Sequence, residues 1–356
     1  MIYAGVARSK IESDQALALV AECFSLPGAN SEAMVLRKGM FLRGHPGYKD
    51  DSTIVVCDEN DAVIGCAFLI DCILPLGARK LQGIFISSVA VAAHARGKGH
   101  SHLLMDAVVE AGANRGADIA IVIARRAVDR YYNKFGFWGL AQYSKVNLNI
   151  ETLPKSAQRL TVKLTPVAEQ DFCACAASHA ASYRDLAGHC HRGAAMWRYI
   201  VGKLPFLGLR LDIVRVDGVT AGYVIHDGRG NLHEVALMPD GRALNARLFL
   251  ETCASETNCV TLHIPPAHPF IAKLEGGDVS LIVRECPYGG HMIRVLNASM
   301  IAEVRKGSVI EERTARSFLN LSETATLLRL SRLTDANQAN ALDIFGSFNI
   351  PLLDQI

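Results

Sequence analysis

Six consecutive residues are built to grip an anion: Arg96-Gly97-Lys98-Gly99-His100-Ser101. Two full positive charges alternate with glycines, which let the backbone come close to a ligand. The elements around the turn must aim it. Ile84 to Val91 is an apolar, β-branched run of the kind that forms a buried strand. Ala92 to Ala95 is a short loop, and Leu103, Leu104, Ala107, Val108 and Ala111 then mark one face of a helix. First-turn N–H groups of a helix lack internal partners, and the helix dipole adds positive potential there. Strand, basic glycine-rich turn and helix is a layout that holds phosphate.

Two nucleotide motifs fail here. A P-loop needs Lys and then Ser or Thr after its second glycine, but Gly99 is followed by His100-Ser101. A dinucleotide fingerprint needs a third glycine, where His102 stands. What fits is the pattern [RQ]-x-x-G-x-[GA] after V-x-V, and Val89-Ala90-Val91 followed by Arg96 to Ser101 resembles the GNAT acyltransferases in it. Ser101 departs from the family's Gly or Ala but is still small. A second motif lies about thirty residues on: Tyr131-Tyr132-Asn133-Lys134-Phe135-Gly136-Phe137 resembles the family's [FIY]-Y-x-[KR]-x-G-F, after the apolar strand Ile119 to Ile123. The bland alternatives are an ordinary basic turn and a packed aromatic pair.

Composition limits the rest. The 356 residues are half apolar and 20% charged, with a formal net charge of +2. That length calls for two or three domains. The charge balance gives no case for nucleic acid or a membrane surface. No run of eighteen apolar residues exists, and MIYAGVARSKIESD has no apolar signal region, so the cytoplasm is expected. Ten cysteines include no C-x-x-C and read as buried thiols in a reducing compartment. Cys173, Cys175, His179, His189, Cys190 and His191 cluster locally, but their spacing matches no zinc pattern, so no metal is expected.

The pattern predicts an α/β (α+β) chain of tandem units, with mixed, mostly antiparallel sheets flanked by helices. The first unit, 1–150, reads strand, helix Asp14 to Phe24, helix Ser31 to Gly39, a hairpin over Thr53 to Asp71, and an added hairpin over Ile73 to Leu81. It closes with a strand-like stretch from Phe137 to Ile150. The second unit, 151–298, repeats hairpin, strand, helix and strand from Leu211 to Ile264. Its turn, Pro239-Asp240-Gly241-Arg242-Ala243-Leu244, has one glycine and an acid that would repel phosphate. The segment 299–356 ends in an apolar stretch expected to dock. Leu74 to Arg79, Trp197-Arg198, Asp217-Gly218, Gly222-Tyr223, Met292 to Asn297 and the closing Pro351-Leu352-Leu353-Asp354 together resemble the Eis-like (enhanced intracellular survival) acetyltransferases. The last segment would then be a truncated sterol-carrier-like domain, since about sixty residues follow Arg294.

The resemblance implies acetyl-CoA as co-substrate, held at Val89, Ala90, Val91, Arg96, Gly97, Lys98, Gly99, His100 and Ser101. It implies Tyr132 as the acid that protonates the leaving thiolate and Tyr131 as a packing residue. In Eis-like proteins the terminal carboxylate takes the amine proton, which would be Ile356; Glu32, Asp51 and Asp71 are the other candidates. The implied reaction is direct acetyl transfer to the primary amine of a small cationic or amino-sugar-like acceptor. Protein lysines as acceptors, and a non-catalytic acyl-CoA sensor, stand as alternatives. The expected partners are a small-molecule amine and further copies of the chain.

Overall fold

The computed structural model describes residues 2–297, apart from 26–29, 77–78, 125–128, 140–141, 156–158, 184–188, 239–243, 255–256, 266–267 and 286–289. The segment 299–356, with Ile356, and the turn at Asp240-Gly241 lie outside the described residues.

The chain begins β1 (Tyr3–Val6), α1 (Lys10–Phe24), α2 (Ser31–Leu42), β2 (Thr53–Cys57), β3 (Val63–Leu76) and β4 (Arg79–Val91). Next come α3 (His100–Asn114), β5 (Ile119–Ala124), α4 (Asp129–Asn133) and β6 (Trp138–Gly139). Then β7 (Gln142–Asn149), β8 (Val162–Pro166), α5 (Phe172–Tyr183) and α6 (Ala194–Lys203) follow. The remaining elements are β9 (Arg210–Val216), β10 (Val219–His226), β11 (Asn231–Leu237), α7 (Ala246–Cys253), β12 (Cys259–Leu262), β13 (Val279–Glu285) and β14 (Gly290–Val295). Among the described residues the strands form two seven-stranded sheets, β1-β2-β3-β4-β5-β14-β6 and β13-β7-β12-β11-β10-β9-β8.

Local sequence explains the elements that place the turn. Ser9 caps α1 by accepting from the Glu12 N–H, and Ala16, Leu17 and Val20 bury one face. On α3, Leu104, Met105, Ala107 and Val108 face the same core. Gly112 lets α3 lie close on β4, because a Cβ there would meet Ile84 Cδ1 at 2.3 Å. The added hairpin expected at Ile73 to Leu81 is the continuation of β3 and β4, with Leu74 opposite Leu81 and Leu76 opposite Arg79. One long arm therefore replaces two short ones.

The strand-like stretch from Phe137 to Ile150 splits between the sheets. Trp138–Gly139 stays at the edge of the first. Gln142–Asn149 crosses to the second and pairs with β12 and β13. In return β14 enters the first sheet between β5 and β6, with Ile293 opposite both Ile121 and Trp138. The alternation of Val146, Leu148 and Ile150 with polar neighbours was legible, but period two says nothing about which sheet a strand joins.

Candidate functional site

The parallel pairing of β4 with β5 runs from Gly83 opposite Ile119 to Ile86 opposite Val122 and stops there. The physical cause is a bulge. Cys66 sits opposite Ala90 and Phe68 opposite Ser87, so β4 carries one extra residue, and Ser88 takes φ of 55°. A bulge of this kind bends its strand and interrupts its ladder. The two strands part, and a cleft of about 370 Å³ opens between them. Its walls include Ser88, Val89, Ala90 and Val91 from β4, Val122 and Ile123 from β5, and Phe24 from α1, with Ser101, Tyr131 and Tyr132 beside them. That volume lies in the usual range of small-molecule sites.

The basic turn stands at the head of this cleft. Gly97 and Gly99 adopt φ of 76° and 83°, which other residues adopt only under strain. Gly99 is the N-cap of α3, and among the described residues no side chain caps that helix. The first intrahelical donors are His102 and Leu103, both to the Gly99 carbonyl, so the His100 and Ser101 N–H groups precede the ladder. Arg96 donates from Nε to the Val91 carbonyl at 3.0 Å, which ties the turn to the splayed strand. Lys98 is exposed. His100 is buried, and its Nδ1 has no partner among the described residues.

The two tyrosines differ sharply. Tyr131 donates its hydroxyl to the Ser101 carbonyl at 2.9 Å. Tyr132 packs on Tyr131 and Phe137, and its hydroxyl has no hydrogen-bond partner among the described residues. Burial, and to a lesser degree Tyr131, pushes the Tyr132 phenol up to about 12. The structure therefore gathers the predicted Val89, Ala90, Val91, Ser101 and Tyr132 at one cleft and stands Arg96 to His100 at its head. It leaves two candidate bases elsewhere. Asp71 pairs with Arg115 and Lys49, and Asp51 pairs with Arg115. Arg115 caps the C-terminal end of α3, roughly 20 Å of helix away from the turn. Glu32 is exposed in the first turn of α2. Sequence reasoning did not single out Phe24, Ser88, Val122 or Ile123; the one signal was Ser87-Ser88 inside an otherwise apolar strand.

The second unit repeats the layout and closes it. β11 runs parallel to β12 only over Asn231 and Leu232. Beyond that point Ser182 of α5 accepts from the Leu237 N–H at 2.8 Å. Arg192 and Glu234 form a buried bidentate ion pair at 2.6 and 2.8 Å, and the Tyr223 hydroxyl donates to Glu234. His179, Tyr183, His189, Trp197 and His268 stack around them. The helix that follows, α7, is capped by the Asn245 side chain accepting from the Leu248 N–H, unlike α3. His179 and His189 of the Cys/His cluster thus belong to an aromatic core, while Cys173 is exposed. Among the described residues no three His, Cys, Asp or Glu side chains are placed to hold a metal ion.

This core should be acid-sensitive. Burial holds His268 down to about 4 and His179 far below the ordinary value of 6.5. Both are neutral when folded, and the unfolded chain binds more protons below pH 6.5. Their contribution to stability is therefore complete above pH 6.5 and is lost as the pH falls toward 4. His268 alone accounts for roughly 3 kcal/mol over that window. Urea denaturation should show a clearly lower midpoint at pH 5 than at pH 7.5; equal midpoints would contradict this assignment.

Comparison with known proteins agrees with this geometry. Residues 8–141 match the model of the acetyltransferase (GNAT) domain family. The first unit is thus a GNAT acetyltransferase domain, of the enzyme class that uses acetyl-CoA as co-substrate. The wider fold, a mixed α/β architecture of two mostly antiparallel sheets flanked by helices, is similar to several solved structures. A GCN5-related N-acetyltransferase from Kribbella flavida superposes with TM-score 0.62 at 18% identity, over 84% of this chain and 72% of that one. A GCN5-related N-acetyltransferase from Anabaena variabilis gives 0.63 at 15%, over 83% and 73%. Eis1 from Mycobacterium abscessus gives 0.59 at 14%, over 86% and 75%. No curated protein matches the chain. Among the described residues no helix is long and apolar enough to cross a membrane.

Proposed function

We propose that the chain moves an acetyl group from acetyl-CoA directly to the primary amine of a small cationic or amino-sugar-like acceptor. The observation that carries this reading is the Tyr132 hydroxyl, without a hydrogen-bond partner among the described residues, which shares one cleft with the splayed backbone of β4, below a helix N-terminus that no described side chain caps. In this reading Arg96 to Ser101 hold the cofactor's pyrophosphate. The backbone N–H groups of Val89 and Val91 hold the pantetheine arm and polarise the thioester carbonyl. The amine nitrogen attacks the carbonyl carbon, the C–S bond breaks, and Tyr132 gives its proton to the departing thiolate.

The amine's own proton would pass to a base other than Asp51 and Asp71, whose carboxylates are held in ion pairs with Arg115. A reducing, cytoplasmic setting is supported by the free thiols of the described cysteines. Initial rates of thiol release from acetyl-CoA, measured against a matrix of amine concentrations, test direct transfer. Polyamines, aminoglycosides, amino sugars and lysine peptides are the amines to try. Intersecting reciprocal plots are expected. Parallel plots would indicate an acetyl-enzyme, and thiol release indifferent to every amine would defeat the reading.

A further inference from the structure

The segment that carries Tyr132 has little regular structure of its own, although Phe135 and Phe137 are buried and the Tyr131 hydroxyl donates to the Ser101 carbonyl. α4 is five residues long, too short to be stable alone. β6 is two residues long and joins the first sheet through β14. Within the turn, the Tyr132 carbonyl accepts from the Phe135 and Phe137 N–H groups at 3.0 and 3.2 Å, which fixes its local shape but not its place over the cleft. Among the described residues one charged side chain reaches it from outside. Arg294, on β14, donates from Nη1 to the Phe135 carbonyl at 2.6 Å. Its stem and guanidinium lie over Gly136, where φ is 74° and a Cβ would stand 3.7 to 3.9 Å from the Arg294 side chain.

We infer that Arg294 is the positioning residue of the reaction, and that the exchanged strand β14 serves to hold Tyr132 at its working distance. The inference rests on the reading of Tyr132 as the acid. The bonded carbonyl lies just past the C-terminal end of α4, where carbonyls lack intrahelical partners and a cation is favoured. β14 itself is rigid, because it pairs with β5 from Gly290 opposite Ala124 to Val295 opposite Ile119. Arg294 therefore transmits the position of a paired strand to a turn that has little stiffness of its own. Small displacements of a catalytic group cost large factors in rate. This also gives the second unit a task, since β14 follows it in the chain.

The test uses the full chain, with thiol release from acetyl-CoA and the fastest amine of the panel. Arg294→Met keeps the packing over Gly136 and removes the donor. It should lower kcat by roughly ten- to a hundredfold, with the acetyl-CoA Kd within about threefold. Arg294→Lys, which keeps one charged donor, should restore most of the loss. In a Tyr132→Phe background Arg294→Met should change kcat by less than about threefold, because the group being positioned is gone. Wild-type kcat in Arg294→Met, or the same factor lost in both backgrounds, would overturn the inference. If Arg294→Met does not fold, the smaller deficit of Arg294→Lys must vanish in the Tyr132→Phe background, and its persistence would overturn it equally. Wild-type activity in Tyr132→Phe alone would remove the proposed acid, and this inference with it, and is told apart by that single variant.

Discussion

Tyr132→Phe is expected to lower kcat by roughly 10²–10⁴ and to leave acetyl-CoA affinity within about twofold, the usual worth of a positioned acid. The variant removes one oxygen that bonds to nothing among the described residues. The ring's contacts with Tyr131 and Phe137 remain, so stability should hold. Tyr131→Phe is the matched control. It breaks the bond to the Ser101 carbonyl, at a cost of about 1 kcal/mol, without touching the proton donor. Because burial pushes the Tyr132 phenol up to about 12, kcat should not decline between pH 8 and 10 through its ionisation. Thiol release measured across both variants and that pH range decides the matter. Full activity in Tyr132→Phe, or a larger loss in Tyr131→Phe, would assign the phenol to packing.

The site was more legible than the fold around it. Arg96 to Ser101 and Tyr131 to Phe137 announce themselves because their chemistry is local: glycines at 97 and 99 are demanded by positive φ, and a tyrosine beside a glycine turn is visible in one line of sequence. The one fact that opens the cleft, the extra residue at Ser88, is a register mismatch against Ala67. A mismatch belongs to two strands at once and leaves only a polar residue in an apolar run as its mark. The exchange of β7 and β14 was hidden for a similar reason, since either sheet would bury the faces of Val146 and Ile293 equally well. The closure of the second unit was half legible. The acid and single glycine at Asp240-Gly241 argued against phosphate. The Arg192–Glu234 pair and the Ser182 bond could not be foreseen, because each joins residues more than forty positions apart.

The two units are thereby given opposite fates by the same layout, and this bears on the second large effect. Gly99 stands at φ of 83° with open space around the position of a Cβ. The Cβ of Gly99→Val therefore meets no described atom within 4 Å. The substitution costs about 1–2 kcal/mol of backbone strain and places a branched side chain where a phosphate must approach. The acetyl-CoA Kd should rise by at least about a hundredfold while the chain stays folded. In the second unit the backbone of Leu237 is already satisfied by Ser182, and α7 is already capped by Asn245. Among the described residues nothing equivalent is left there to receive a cofactor.

Titration calorimetry of the full chain with acetyl-CoA tests this account most directly. One site per chain is predicted, abolished by Gly99→Val and retained in Tyr132→Phe. Two sites per chain, no site, or a single site that survives Gly99→Val unchanged would contradict it.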